Sequence, residues 1–77
     1  MKELLLTIVK ALVDYPEKVE VKEIMGEQSL ILELRVADTD RGKVIGKQGR
    51  IIRAIRTIMG CSAAKLNKRV VIEVIEA

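Results

Sequence analysis

Val44-Ile45-Gly46-Lys47-Gln48-Gly49-Arg50-Ile51-Ile52-Arg53-Ala54-Ile55-Arg56 decides how this 77-residue chain folds. Two glycines three positions apart interrupt an apolar run, and basic residues stand inside and just after the gap. Such a pair separates two helices rather than lying within one. Downstream, a helix is expected from about Arg50. On it Ile51, Ile52, Ala54, Ile55, Ile58 and Met59 share one face, and Arg50, Arg53, Arg56 and Thr57 the other. It should run past Gly60, at about 1 kcal/mol relative to alanine, to near Lys65, with Asn67 as its end. Upstream, Asp38 or Thr39 is placed to cap a short helix through Asp40 to Ile45.

Spacing separates three phosphate-loop readings of Gly42-Lys43-Val44-Ile45-Gly46-Lys47-Gln48-Gly49-Arg50. A Walker A loop needs four residues before its Gly-Lys pair and then a hydroxyl for magnesium. Here three residues separate Gly42 from Gly46, and Gln48 stands where Ser or Thr is required. The dinucleotide fingerprint fails as well, because Gly42 and Gly46 are not spaced as G-x-G and no parallel βαβ unit surrounds them. The third reading is a Gly-x-x-Gly loop between two short helices, which clamps a nucleic-acid backbone. Glycines without Cβ let a sugar–phosphate chain approach and permit tight turns. The amides opening the next helix offer donors and the positive end of its dipole to phosphate. Lys47 adds a mobile charge, and Gln48 adds neutral hydrogen bonding.

The thirteen residues from Val44 to Arg56 resemble the core signature of a KH domain, and the preceding Asp40-Arg41-Gly42-Lys43 run is typical of bacterial versions. With an extra helix and strand before the core, the order resembles the prokaryotic type II arrangement. Across nearly the whole chain the sequence is similar to the small single-domain bacterial KH proteins of the KhpA family. That resemblance implies a groove for about four unpaired nucleotides, with backbone on the glycine loop and bases over an apolar floor. The clamp then falls on Gly46, Lys47, Gln48 and Gly49, and the groove wall on Val44, Ile45 and Ile52. Lys43, Arg50 and Arg53 are the residues expected to meet phosphate. Arg56, Lys65, Lys68 and Arg69 read more simply as a solvated basic face. The resemblance also implies self-pairing, pairing with a larger KH-containing RNA-binding protein of the KhpB type, and effects on cell division and elongation.

The rest of the chain fits a two-layer α+β domain, residues 1-77 forming a single unit. Residues 3–13 form an amphipathic helix ending before Pro16, with Glu3, Thr7, Lys10 and Asp14 on its polar side. Its apolar arc spans roughly 220°, about twice what one core contact needs, so part of it is expected to meet a second surface. Leu6, Val9 and Val13 are candidates for that contact, as are Ile58 and Met59. Val19, Val21 and Ile24 suggest a strand with one irregular step, a β-bulge. After a turn at Gly26-Glu27, Leu30, Leu32, Leu34 and Val36 alternate with Ile31, Glu33 and Arg35, giving a hairpin. Val70, Val71, Ile72, Val74 and Ile75 form a last strand, apolar on both faces and so expected to lie between neighbours. Three strands with three helices on one face, ordered α-β-β-α-α-β, complete the domain.

Charge and composition narrow the function. Residues 1–40 carry five Lys/Arg against nine Asp/Glu, whereas residues 41–72 carry nine Lys/Arg and no acid. This asymmetry predicts an anionic partner for the surface that the second half builds. There is no His, which removes imidazole metal sites and near-neutral acid/base catalysis. No metal or cofactor is expected. The lone Cys61 has no disulfide partner and reads as a small packed side chain. Tyr15 is the only aromatic, so no stacking platform exists for bases. No apolar stretch reaches the roughly 20 residues of a membrane span, and a cytoplasmic location is expected. With the KH resemblance, these features favour a non-catalytic binder of single-stranded RNA, with single-stranded DNA not distinguished from it. Such a binder would have low sequence specificity and act as an RNA chaperone or post-transcriptional regulator. The alternative is a dimerisation adaptor that uses the KH fold for protein contacts.

Overall fold

The computed structural model describes residues 1–75. Helix α1 (Lys2–Leu12) is followed by strands β1 (Glu20–Met25) and β2 (Ser29–Arg35), helices α2 (Arg41–Ile45) and α3 (Arg50–Ala64), and strand β3 (Arg69–Val74). Short 3-10 turns at Pro16–Lys18, Asp38–Asp40 and Lys47–Gly49 join them. The sheet order is β1-β2-β3, with β1 antiparallel and β3 parallel to β2. A parallel neighbour cannot follow by a tight turn, so α2 and α3 form the crossover that carries the chain from β2 to β3.

Leu30, Leu32 and Leu34 alternate along β2 and are all buried; the core closes over them with Val21, Ile72, Leu5, Val9, Val44, Ile52, Ile55 and Met59. All three helices therefore lie on this one face. On the opposite face Lys22 stands across from Glu33 and Glu20 across from Arg35. Directly opposed unlike charges favour this register. A slip of one residue would turn the β2 leucines into water.

Several expectations need correction. The β1–β2 register is one-to-one from Glu20 opposite Arg35 to Met25 opposite Leu30, so there is no bulge. The irregular spacing of Val19, Val21 and Ile24 arises because Val19 precedes the strand, Val21 faces the helices and Ile24 faces outward. β3 is an edge strand that pairs with β2 alone, and its Val71 lies on the open face; Ile75 lies just beyond it. On α3 the buried residues are Ile52, Ile55, Met59 and Ala63, while Ala54 and Ile58 fall outside that stripe. Cys61 is exposed rather than packed, since Met59 and Ala63 take the inward positions on either side of it. The wide arc of α1 is divided between surfaces: Leu5 and Val9 are buried, whereas Leu4 and Leu12 are exposed. Burial also removes Val9 and Met59 as contacts for a second chain. Among the described residues no helix is long and apolar enough to cross a membrane.

Candidate nucleic-acid interface

Between α2 and α3 the backbone leaves the helical region three times in four residues. Gly46 has φ 76°, Gln48 φ 57° and Gly49 φ 74°. Three backbone bonds hold the bend, from Gly46 N to the Gly42 carbonyl at 2.8 Å, from Gly49 N to the Gly46 carbonyl at 3.1 Å and from Arg50 N to the Lys47 carbonyl. Lys47 and Gln48 are exposed at its tip.

The two glycines serve different ends. A Cβ at Gly46 would lie 2.6 Å from Cγ1 and 2.9 Å from Cβ of Ile51, so that glycine makes room for α3 to pack. At Gly49 the nearest atom to such a Cβ is Ile52 Cγ2, 3.9 Å away. There the left-handed conformation, not crowding, calls for glycine, and the surface stays open. Gly49 is the N-cap of α3 and supplies no side-chain capping bond; the first amide of the helix, Arg50 N, donates instead to the Lys47 carbonyl.

The basic residues divide as well. Lys47 and Arg50 are exposed at the bend and at the first position of α3. Arg53 is turned back onto the loop: its Nη2 donates to the Gln48 carbonyl at 2.7 Å and its Nε to the Gly49 carbonyl at 3.3 Å. Lys43 Nζ donates to Asp14 Oδ2 at 2.6 Å and lies 3.5 Å from Asp40 Oδ1. Its hydrogen bond to Asp14, with the charges of Asp14 and Asp40, outweighs desolvation and raises its pKa above the ordinary value. Its charge is thus already matched within the protein. Arg56 reaches across to β3, donating to the Ile72 carbonyl at 3.3 Å.

Of the three aliphatics at this site, Val44 is 0% exposed and Ile52 6%, because α2 and α3 turn those positions onto the sheet. Ile45, 36% exposed, is the one with an open surface.

Asp40, fully buried, is the residue that the sequence did not reveal as a support. Neither Asp38 nor Thr39 makes the expected capping bond, since both lie inside the 3-10 turn Asp38–Asp40, and Asp40, at the N-cap of α2, makes none either. Asp40 instead accepts from the backbone amides of Asp14 at Oδ1 (3.1 Å) and Tyr15 at Oδ2 (3.0 Å). Burial opposes its ionisation, but these two amides and Lys43 prevail and hold its pKa below the usual carboxylate value. Asp40 therefore fastens the segment after α1 to the start of α2. The only signal in the sequence is an acid followed closely by Arg41 and Lys43.

Two surface concavities, lined chiefly by β1, β2 and α1 or the Pro16–Lys18 turn, do not include the loop residues. Among the described residues no cluster of His, Cys, Asp or Glu could hold a metal. The arrangement suits an extended anionic chain lying across Lys47, Gly49 and Arg50.

Residues 2–74 match the family model described as KhpA/KhpB, KH domain. The chain is 64% identical over 75 residues to the RNA-binding protein KhpA of Clostridium acetobutylicum, covering 97% of this chain and 100% of that one. It is 61% identical to the RNA-binding protein KhpA of Caldanaerobacter subterraneus, with the same coverage. The RNA-binding protein KhpA of Aquifex aeolicus is 50% identical over 76 residues, 99% of this chain and 96% of that one. No solved structure matches the chain.

Proposed function

Because the chain belongs to the KhpA/KhpB KH-domain family, we propose that it binds single-stranded RNA across the Gly46–Gly49 loop, without catalysis and with little sequence preference. The observation that carries this reading is the exposed, left-handed bend between α2 and α3, with Lys47 and Arg50 exposed beside it and, among the described residues, in no ion pair. Phosphates lie against Gly49, Lys47 and Arg50. Bases rest on the surface beside Ile45. Arg53 and Val44, with Ile52, hold this platform from behind. The named function of the relatives, RNA binding, agrees with it.

Low specificity follows from the side chains at hand. The chain has one aromatic, Tyr15, too few for a stacking platform, and phosphate contacts carry no sequence information. A protein of this kind suits an RNA chaperone or post-transcriptional regulator in the cytoplasm. One weak groove gains from a second, so we place the active form as a dimer, or as a complex with a larger KH-containing protein of the KhpB type. Ile58, half exposed on α3, is the aliphatic best placed for that contact.

Ultraviolet crosslinking of the protein to cellular RNA tests the site. The crosslinked peptide should contain Ile45 to Arg50. Crosslinks confined to another surface would overturn the assignment, and recovery of DNA in place of RNA would revise the ligand.

A further inference from the structure

The sheet has a second free edge, remote in the fold from the glycine loop. Gly26 N donates to the Ser29 carbonyl at 2.8 Å, continuing the β1–β2 register. Antiparallel ladders alternate bonded and non-bonded pairs. Ile24, Lys22 and Glu20 therefore bond to β2, and Val21, Glu23 and Met25 direct their N–H and C=O groups away from the sheet. Beside this edge lies a cavity of about 530 Å³ between α1 and the strand, lined by Lys2, Leu6 and Lys10 on one side and Val19 to Lys22, Glu33 and Arg35 on the other.

We propose that this edge accepts an extended acidic peptide segment of a partner protein, which adds to β1 as a fourth strand. Free backbone groups at every second residue match a peptide main chain. Leu6, partly buried, is the aliphatic with open surface beside the edge; Val19 and Val21 are packed into the core behind it. Lys2, Lys10, Lys22 and Arg35 outnumber Glu20, Glu23 and Glu33 along this edge, and among the described residues none of the four is in an ion pair. That imbalance selects acidic side chains. A polyphosphate backbone fits less well, since it would meet the glutamates and leave the strand edge and Leu6 unused. A second copy of this chain would bring the same surplus of cations face to face.

Random peptides of roughly eight residues, a strand with its flanks, can be displayed on phage and selected against the full chain. The enriched peptides are then titrated into isotope-labelled protein. Enrichment of alternating acidic and apolar residues is expected, with resonance shifts and slowed amide exchange at Val21, Glu23 and Met25. Lys10→Glu should weaken binding at least ~tenfold by reversing a rim charge. Glu23→Pro removes an N–H that no strand uses, so the fold should persist while binding is lost. Peptides methylated at alternate backbone nitrogens should not bind.

No such enrichment, equal binding by the methylated peptides, or shifts centred on Lys47 and Arg50 would each overturn the proposal. So would an oligouridylate that perturbs β1 more strongly than the glycine loop, or self-association through β1. Binding of RNA at the glycine loop is a separate measurement, and either site can fail without the other.

Discussion

The Arg53 guanidinium reaches back along α3 and donates to the Gln48 carbonyl at 2.7 Å. A basic residue that the family resemblance assigns to phosphate thus directs two of its five N–H donors to the loop's own backbone. Arg53 shapes the bend, while Lys47 and Arg50 face solvent. The two roles can be told apart by salt. Lys47→Ala should reduce the slope of log affinity against log salt by about 0.7, the value for one phosphate on a single strand. Arg53→Ala should weaken RNA binding by roughly 1 kcal/mol through loss of loop order and leave that slope nearly unchanged. Titrations at several salt concentrations measure both.

The two glycines should respond unequally to the same substitution. Gly46→Ala combines a left-handed backbone with a contact 2.6 Å from Ile51, and should cost about 2–4 kcal/mol of stability. Gly49→Ala meets no such contact and should cost about 1 kcal/mol. Urea denaturation gives both values. RNA titration of the folded Gly49→Ala protein should then show weaker binding, because its new methyl stands on the open face of the bend.

Asp40 links stability to acid. Its folded pKa lies below the ordinary carboxylate value, so the native state binds fewer protons than the unfolded state as pH falls. The contribution is complete above the ordinary value of 3.8 and is lost as pH drops through the lower folded value. Asp40→Asn turns one oxygen acceptor into an amide donor facing the Asp14 and Tyr15 amides. The variant should unfold at lower urea near neutrality and show a flatter decline in acid. Lys43 has the opposite sign. Its raised pKa adds stability below 10.5 that disappears as pH rises through the folded value.

Ile58 offers a test of avidity. It lies half exposed, one step off the buried stripe of α3. Ile58→Glu should shift the sedimenting species toward monomer and weaken binding to long RNA at least ~tenfold. Affinity for an oligonucleotide that fills one groove should stay unchanged. Equal loss on short and long RNA would point to damage within the groove instead.

Much of this architecture could be read from patterns of period two and 3.6. The β2 leucines alternate without exception, and the break at Gly46 and Gly49 needs no partner element to make it turn. What could not be read depends on contacts between distant segments. Asp40 looks like a helix cap until the chain brings Asp14 and Tyr15, about 25 residues earlier, against its carboxylate. The apolar faces of β3 suggested a central strand, yet an open sheet face carries Val71 and Ile24 at the surface. Val44 and Ile45 are adjacent and chemically alike, and only helix orientation decides that one is buried and the other exposed. Lys43 and Arg53 are basic like Lys47, and only their acceptors show that some of their donors are already engaged.

Replacing both loop-tip residues tests the central claim most directly. Lys47→Asp with Gln48→Asp reverses one charge and adds another, and Asp tolerates the left-handed conformation at position 48, so the fold should survive. Circular dichroism and the urea midpoint check that it does. Affinity for a single-stranded oligonucleotide should fall at least ~tenfold in this protein. Unchanged affinity in a folded double variant would mean that RNA lies elsewhere on the molecule.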